Sequence, residues 1–224
     1  DSLANQRQLL RHAFDLGITC FDLANNYGPE PGSAETNFGR LYQADFKPYR
    51  DELIITSKAG YTMWPGPYGD WGSRKYIIAS CDQSLRRTQL DYFDIFYSHR
   101  FDPETPLEET ALALDQLVKS GKALYIGLSN YGPEAPATMT AIFKDLKTPY
   151  IINQDRYNMF SQEKAKALFP TLAETHKGAV VFSPLAQGML TGRYLNGIPA
   201  DSRAARKDSP FLNVEKVEAQ LAQI

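Results

Sequence analysis

The sequence predicts an α/β protein that folds as a (β/α)8 TIM barrel, a closed ring of parallel strands surrounded by helices. Six strand-like segments alternate with helical ones, and several of them are near-continuous apolar runs, typical of strands buried on both faces of a parallel sheet. An open, doubly wound sheet is the competing architecture, but no Gly-x-Gly-x-x-Gly turn follows any strand. Polar side chains instead end almost every strand, where barrels build their active sites.

The helices are predicted from apolar residues at helical spacing. The first runs from Leu9 to Leu16 and ends at Gly17, because glycine readily adopts the left-handed conformation that closes a helix. Ser33 can cap the second helix, and Gly121 ends the fourth. The helices after the first are predicted at Ser33–Tyr42, Arg74–Arg87, Leu107–Ser120, Pro136–Leu146, Glu163–His176 and Val214–Ile224.

The strands fall between these helices. They are predicted at Cys20–Leu23, Leu53–Lys58, Tyr92–Ser98, Leu124–Ser129, Tyr150–Gln154 and Ala179–Ser183. A (β/α)8 barrel has eight strands and typically takes about 250 residues, whereas this chain has 224 residues. We therefore expect one domain over residues 1–224 from which the first strand and the last strand–helix unit are absent, as in a fragment of a longer protein. The alternative is that two strands are supplied in another way.

Composition and charge exclude several classes of function. The net charge of −2 gives no general attraction to nucleic acid or to an anionic membrane, and no apolar stretch approaches the roughly 20 residues of a membrane span. The N-terminus has no signal-peptide pattern, and the two cysteines are too few for a disulfide framework. We expect a cytoplasmic protein with a buried Cys20 and no bound metal. The oligomeric state stays open, a homo-oligomer included.

Four residues near consecutive strand ends predict the chemistry. Reduction of a carbonyl by hydride needs a proton donor, and tyrosine, with a pKa of about 10, is a poor one unless a cation lowers that pKa. Lys58 can be the cation for Tyr27, and Asp22 can hold the lysine in place. His99 can donate a hydrogen bond to the carbonyl oxygen and orient it.

Each of these four residues has a structural explanation when it is taken alone. Asp22 and Lys58 could form a buried ion pair. Tyr27 could pack a loop, and His99 could be a strand-end histidine with satisfied hydrogen bonds. Their coincidence at successive strand ends favours catalysis over these explanations.

Aromatic and basic residues nearby are less decisive. In the Gly/Pro-rich loop after the second strand, Trp64 and Tyr68 either line a substrate pocket or anchor the loop itself, and both interpretations stay open. Arg100 could bind a substrate phosphate, but an ion pair with Asp102 or Asp155 is the favoured interpretation.

Four motifs carry a resemblance to a known family. They are Phe-Asp-Leu-Ala-Asn-Asn-Tyr-Gly (21–28), Thr-Ser-Lys-Ala-Gly (56–60), Asp-Ile-Phe-Tyr-Ser-His-Arg (94–100) and Ile-Gly-Leu-Ser-Asn-Tyr (126–131). They resemble the aldo-keto reductase superfamily, whose catalytic tetrad is Asp, Tyr, Lys and His in this order. The segments 63–69 and 184–199 are most similar to the branch that includes bacterial L-glyceraldehyde 3-phosphate reductases and lies near the potassium-channel β subunits.

The resemblance implies an NADPH-dependent reductase of small aldehydes or ketones, such as glyceraldehyde 3-phosphate or methylglyoxal, with Tyr27 as the proton donor. In family members the group that selects NADPH over NADH lies largely after the last strand, so this preference is implied by the resemblance alone. The resemblance also implies contacts to the nicotinamide carboxamide, the nicotinamide ring, the pyrophosphate and further phosphate oxygens. Ser129, Asn130 and Gln154 match the contacts to the carboxamide, and Phe182 matches the contact to the nicotinamide ring. Ser183, Leu185 and Gln187 match the contacts to the pyrophosphate, and Arg193 and Arg203 match those to further phosphate oxygens.

The competing function is a redox-sensing subunit that binds NADP(H) without useful turnover, as the resemblance to channel β subunits would allow. At least some of those subunits carry Asn at the position that matches His99. This chain keeps histidine there, which favours the enzyme without excluding a binding role.

Overall fold

The computed structural model describes residues 2–206 and 212–221. Its sheet contains six strands, all parallel and arranged in the order of the sequence. A doubly wound sheet reverses its strand order at a switch point, and this sheet has no reversal. The order is that of a (β/α)8 barrel, of which these strands form a part, as the sequence predicts. The strands are β1 Cys20–Asp22, β2 Ile54–Ala59, β3 Phe93–Ser98, β4 Ala123–Ser129, β5 Tyr150–Arg156 and β6 Gly178–Phe182.

Helices precede, separate and follow these strands. They are α1 Leu3–Asp15, α2 Ser33–Leu41, α3 Arg74–Thr88, α4 Leu107–Lys119, α5 Ala135–Leu146, α6 Glu163–Glu174 and α7 Val214–Leu221. The first helix begins six residues before the predicted start at Leu9, because the Ser2 side chain accepts a hydrogen bond from the backbone N–H of Asn5 and caps it. The last residues of the final predicted helix, 222–224, lie outside the described residues. In the described part of the chain, no helix is long and apolar enough to cross a membrane.

The hydrophobic core lies between the sheet and the helices. Large side chains from both layers have no exposed surface, among them Ile55, Phe96, Ile77 and Leu114. Burial of a side chain of this size contributes about 1.5–3 kcal/mol. A smaller cluster gathers the segment that follows β6 around Tyr194. Packing in the core thus holds the strands in place, while polar residues occupy their carboxyl ends.

The register of the strands brings those carboxyl ends to one rim. Asp22 is the Cα partner of Thr56, and Ser129 is the partner of Gln154. Lys58 pairs with Tyr97 on β3, two residues before His99. Because neighbouring parallel strands point the same way, the polar residues at their ends converge.

Two local predictions were wrong. Cys20 is exposed, because β1 lies at the edge of the sheet among the described strands and alternation turns Phe21, not Cys20, toward the core. Ser33 does not cap α2: Gly32 occupies the cap position with a φ of 88°, and no side chain caps this end. The predicted helix ends at Gly17 and Gly121 are confirmed, since both glycines have positive φ directly after α1 and α4.

Candidate active site

A buried lysine lies at the centre of the rim. Lys58, near the end of β2, has no exposed surface. Its Nζ donates to Asp22 Oδ2 at 2.5 Å and to the carbonyl oxygen of Leu23 at 2.8 Å, and it lies 3.5 Å from the Tyr27 hydroxyl. Burial lowers the pKa of Lys58, and Asp22 acts in the opposite direction. All three N–H bonds of an ammonium thus have an oxygen within reach.

Asp22 is held from two sides. Its Oδ2 contacts Lys58, and its Oδ1 accepts a hydrogen bond from Thr56 Oγ1 at 2.6 Å. The Asp22 side chain is 36% exposed, whereas Thr56 is buried. Sequence reasoning missed Thr56. The available signal was its position two residues before Lys58, which places both side chains on one face of the strand.

Tyr27 lies in the loop that follows β1, with the Lys58 ammonium 5.0 Å from its ring centroid. Burial of the hydroxyl, followed by the charges of Asp22 and Tyr61, raises the pKa of Tyr27 to about 12. The sequence-based prediction that Lys58 lowers this pKa was therefore wrong for the resting protein. Burial disfavours the phenolate, and the negative charge of Asp22 disfavours it further. Tyr27 consequently keeps its proton near neutral pH.

His99 directly follows β3 and is 6% exposed. Its ring makes edge contacts with the rings of Tyr27 and Tyr61, with centroids 5.8 Å and 4.7 Å apart. Burial, together with the charges of Lys58 and Arg100, lowers the pKa of His99 to about 3. The imidazole is therefore neutral near pH 7, with one N–H to donate. The aromatic neighbour Tyr61 was missed by the sequence analysis.

The three residues predicted to contact the nicotinamide carboxamide continue the rim beside His99. Ser129 ends β4, Gln154 lies two residues before the end of β5, and both are buried. Asn130 has a left-handed backbone, φ 57°, and its Nδ2 donates to the His99 carbonyl oxygen and to Ser129 Oγ, both at 3.1 Å. Its backbone N–H donates to the Gln154 carbonyl oxygen at 3.2 Å. Asn130 thus ties the ends of β3, β4 and β5 together.

The segment after β6 brings some of the other predicted cofactor residues together. Gln187 is at the centre: its Nε2 donates to Ser183 Oγ at 3.3 Å, and its Oε1 accepts from the Arg203 guanidinium. Leu185 is 53% exposed beside them. Among the described residues, Arg193 does not join these hydrogen bonds; its guanidinium pairs with the Asp201 carboxylate at 3.0 Å.

Comparison with known proteins identifies the family. The sequence profile of the aldo/keto reductase family matches residues 2–223. This chain belongs to the aldo/keto reductase family. The family resemblance predicted from the four motifs is thus confirmed, and proteins of this family generally use NADH or NADPH.

Within the family, the chain is 60% identical over 208 residues to the L-glyceraldehyde 3-phosphate reductase of Escherichia coli strain K12, a match that covers 92% of this chain and 60% of the relative. It is 37% identical over 205 residues to proteins named probable voltage-gated potassium channel subunit beta in Oryza sativa subsp. japonica and Arabidopsis thaliana, covering 89% of this chain and 60% of each relative. The chain therefore spans about 60% of the length of these curated relatives.

In this aldo/keto reductase chain, each of the two aromatic residues predicted for a substrate pocket packs against a residue outside the tetrad. Trp64 packs on Tyr76 with ring centroids 5.4 Å apart and joins the hydrophobic core. Tyr68 is 49% exposed, and Lys75 Nζ lies 4.6 Å from its ring centroid. These contacts suit loop anchoring, and Tyr61 is the loop aromatic that contacts His99.

Arg100, which follows β3, contacts three residues of the loop after β2. Its guanidinium carbon lies 3.5 Å from the Trp71 ring centroid, its Nε donates to the Gly60 carbonyl oxygen at 2.6 Å, and its Nη2 pairs with Asp70. The predicted ion pair thus exists, but its partner is Asp70. The Asp102 carboxylate instead accepts from backbone N–H groups, including that of Gly72 at 2.9 Å.

The buried imidazole of His99 gives a pH-dependent stability. In the unfolded chain a histidine has a pKa of about 6.5, whereas the pKa of His99 in the folded chain is about 3. Between these values the unfolded chain binds more protons, so the stability falls as the pH drops below about 6.5. Through His99 alone, we expect the free energy of unfolding to fall by about 2 kcal/mol between pH 7.5 and pH 5.

Urea unfolding at the two pH values measures this loss. The raised pKa of Asp155, about 6 through burial, acts with the opposite sign, so comparison with a variant is needed. His99→Asn should lose about 2 kcal/mol less than the wild type. His12→Asn, at an exposed histidine, is the matched control and should behave as the wild type. Equal losses in wild type and His99→Asn would contradict the assignment.

Proposed function

We propose that this chain carries the site of an NADPH-dependent reductase of small aldehydes and ketones. One observation carries the proposal: Lys58 is held by Asp22 and the Leu23 carbonyl oxygen, with the Tyr27 hydroxyl 3.5 Å from its ammonium. A buried cation beside a protonated phenol is the arrangement that proton donation to a developing alkoxide requires.

Each member of the tetrad has one task in the proposed reaction. A nicotinamide dinucleotide held at this rim would supply the hydride that the carbonyl carbon accepts. Tyr27 donates its phenolic proton to the carbonyl oxygen, and Lys58 stabilises the phenolate as it forms. Asp22 keeps the ammonium in place, and the neutral His99 donates one hydrogen bond that orients the carbonyl oxygen.

The residues beside the tetrad fit a nicotinamide dinucleotide. An amide needs both donors and acceptors, which the side chains of Ser129, Asn130 and Gln154 provide at one rim. Phe182, which ends β6, offers an aromatic face for the nicotinamide ring. The remaining proposed contacts follow β6 and suit pyrophosphate and phosphate oxygens through hydroxyl, backbone, amide and guanidinium groups. They are Ser183, Leu185, Gln187, Arg193 and Arg203.

The substrate class is proposed from the 60% identical relative, whose name states L-glyceraldehyde 3-phosphate. Small aldehydes of this kind, including methylglyoxal, are the substrates to try first. A redox-sensing role without turnover is the second candidate, since the 37% identical relatives are named as channel subunits. His99 is the residue that favours turnover, because its neutral N–H can polarise the carbonyl.

A single-turnover experiment tests the proposal. Protein loaded with one equivalent of NADPH is mixed rapidly with glyceraldehyde 3-phosphate or methylglyoxal, and absorbance at the NADPH band is followed. We expect at least one aldehyde to oxidise the bound NADPH rapidly after mixing. Protein loaded with NADH instead should show slower oxidation of the bound NADH. Stable NADPH with every aldehyde, despite demonstrated binding, would reject the reductase and support the sensor.

A further inference from the structure

Thr56 contacts the tetrad without belonging to it. Its hydroxyl donates to Asp22 Oδ1 at 2.6 Å, while Asp22 Oδ2 receives the Lys58 ammonium at 2.5 Å. Thr56 and Asp22 are Cα partners on adjacent strands, so the backbone register itself places the hydroxyl opposite the carboxylate. Thr56 is 2% exposed, which shields this hydrogen bond from water.

The Asp22 carboxylate needs such a partner. With 36% of its side chain exposed, Asp22 can turn toward solvent, where water would satisfy both oxygens. A carboxylate that leaves Lys58 would leave a buried ammonium without its counter-charge, which favours loss of the proton. A hydrogen bond on one oxygen fixes the plane of the carboxylate and directs the other oxygen at the lysine.

From these contacts, we infer that Thr56 is a positioning residue, which fixes the Asp22 carboxylate so that Lys58 stays charged and aimed at the Tyr27 hydroxyl. The inference rests on the proposed function for its effect on turnover, although the effect on Lys58 can be measured without any reaction. The hydrogen bonds run from Thr56 to Asp22, from Lys58 to Asp22 and from Lys58 to the Tyr27 hydroxyl, so the influence of Thr56 passes through Asp22 and Lys58.

The same three residue types meet elsewhere in the chain and provide a matched control. Thr148 Oγ1 donates to Asp115 Oδ1 at 2.7 Å, and Lys119 Nζ pairs with Asp115 Oδ2 at 2.7 Å. Thr148 is 7% exposed and lies two residues before the start of β5, at the end of the sheet opposite to the rim. Thr148→Val removes the same kind of hydrogen bond without reaching the tetrad.

The experiment compares Thr56→Val, which keeps the shape of the side chain but removes the hydroxyl, with Thr56→Ser and Thr148→Val. Steady-state kinetics with NADPH and an aldehyde give kcat and KM, and a ¹⁵N NMR titration of the labelled lysine gives the pKa of Lys58. For Thr56→Val we expect kcat to fall about tenfold with little change in KM, since hydrogen bonds to charged groups are among the stronger ones. We also expect a lower pKa for Lys58.

Thr56→Ser should restore kcat and the pKa of Lys58, and Thr148→Val should leave both unchanged. If Thr56→Val does not fold, Thr56→Ala removes the hydroxyl with a smaller side chain and is measured in the same way. A wild-type kcat and a wild-type Lys58 pKa in Thr56→Val would overturn the inference, as would failure of Thr56→Ser to rescue. If the wild type itself does not reduce aldehydes, the proposed function fails, and the Lys58 titration still decides the role of Thr56.

Discussion

Tyr27→Phe should bind NADPH as tightly as the wild type and reduce aldehydes 10²- to 10⁴-fold more slowly, roughly the range that a positioned proton donor contributes. The substitution removes one oxygen atom and keeps the ring, so the edge contact with His99 remains. The only side-chain hydrogen bond lost in the described structure is the 3.5 Å approach of Lys58. The fold should therefore be preserved.

The effect should fall on kcat rather than on KM, because the proton is transferred only in the transition state. Steady-state kinetics measure the split, and quenching of protein fluorescence by NADPH measures cofactor affinity. Tyr125→Phe is the matched control, since this tyrosine is 43% exposed on β4 and outside the tetrad. A wild-type kcat in Tyr27→Phe would show that another group donates the proton.

The resting pKa of Tyr27, about 12, determines when Lys58 would act in the proposed mechanism. A donor must hold its proton before the reaction, and burial ensures that it does. The ammonium then contributes as negative charge develops on the phenolic oxygen, because a fixed cation at short distance in a poorly solvated site stabilises that charge strongly. The sequence-based expectation of a lowered resting pKa for Tyr27 was wrong, and the partnership of Lys58 and Tyr27 in catalysis stays a prediction.

Local signals in the sequence predicted the elements of the fold well. Each described strand and α-helix was predicted to within a few residues, except that α1 begins at Leu3, because alternation, apolar runs and glycine stops act over short distances. The order of the strands followed from the same pattern. The exposure of Cys20 could not be predicted in this way, since burial depends on which strand lies at the edge of the sheet.

The contacts of the site were predictable where a strand end, or the loop directly after it, supplies the residue. Asp22, Lys58 and His99 meet because parallel strands end at one rim. The hydroxyl of Thr56 on Asp22, and the pairing of Arg100 with Asp70 rather than Asp102, depend on strand register and on the path of the loop after β2. Neither is encoded in a short window of sequence.

Lys58→Met should be the second variant with a very large effect, and it separates charge from packing. Methionine has a similar length and fills the buried site, while the Asp22 carboxylate keeps its hydrogen bond from Thr56 and can be hydrated through its exposed side. We expect a folded protein whose kcat is lower by about 10²- to 10⁴-fold, because the phenolate of Tyr27 then forms without a nearby cation.

Lys119→Met is the matched control, since Lys119 also pairs with an aspartate but is 60% exposed on α4. It should retain the wild-type kcat and lose at most about 1 kcal/mol of stability, the usual contribution of an exposed ion pair. Urea unfolding of both variants separates loss of fold from loss of chemistry. If Lys58→Met kept the wild-type kcat, Tyr27 would not need a cation and the proposed proton transfer would fail. If Lys58→Met lost its fold together with its activity, the main role of the Asp22–Lys58 pair would be to stabilise the fold. That is the structural explanation that the sequence allows for each of the two residues taken alone.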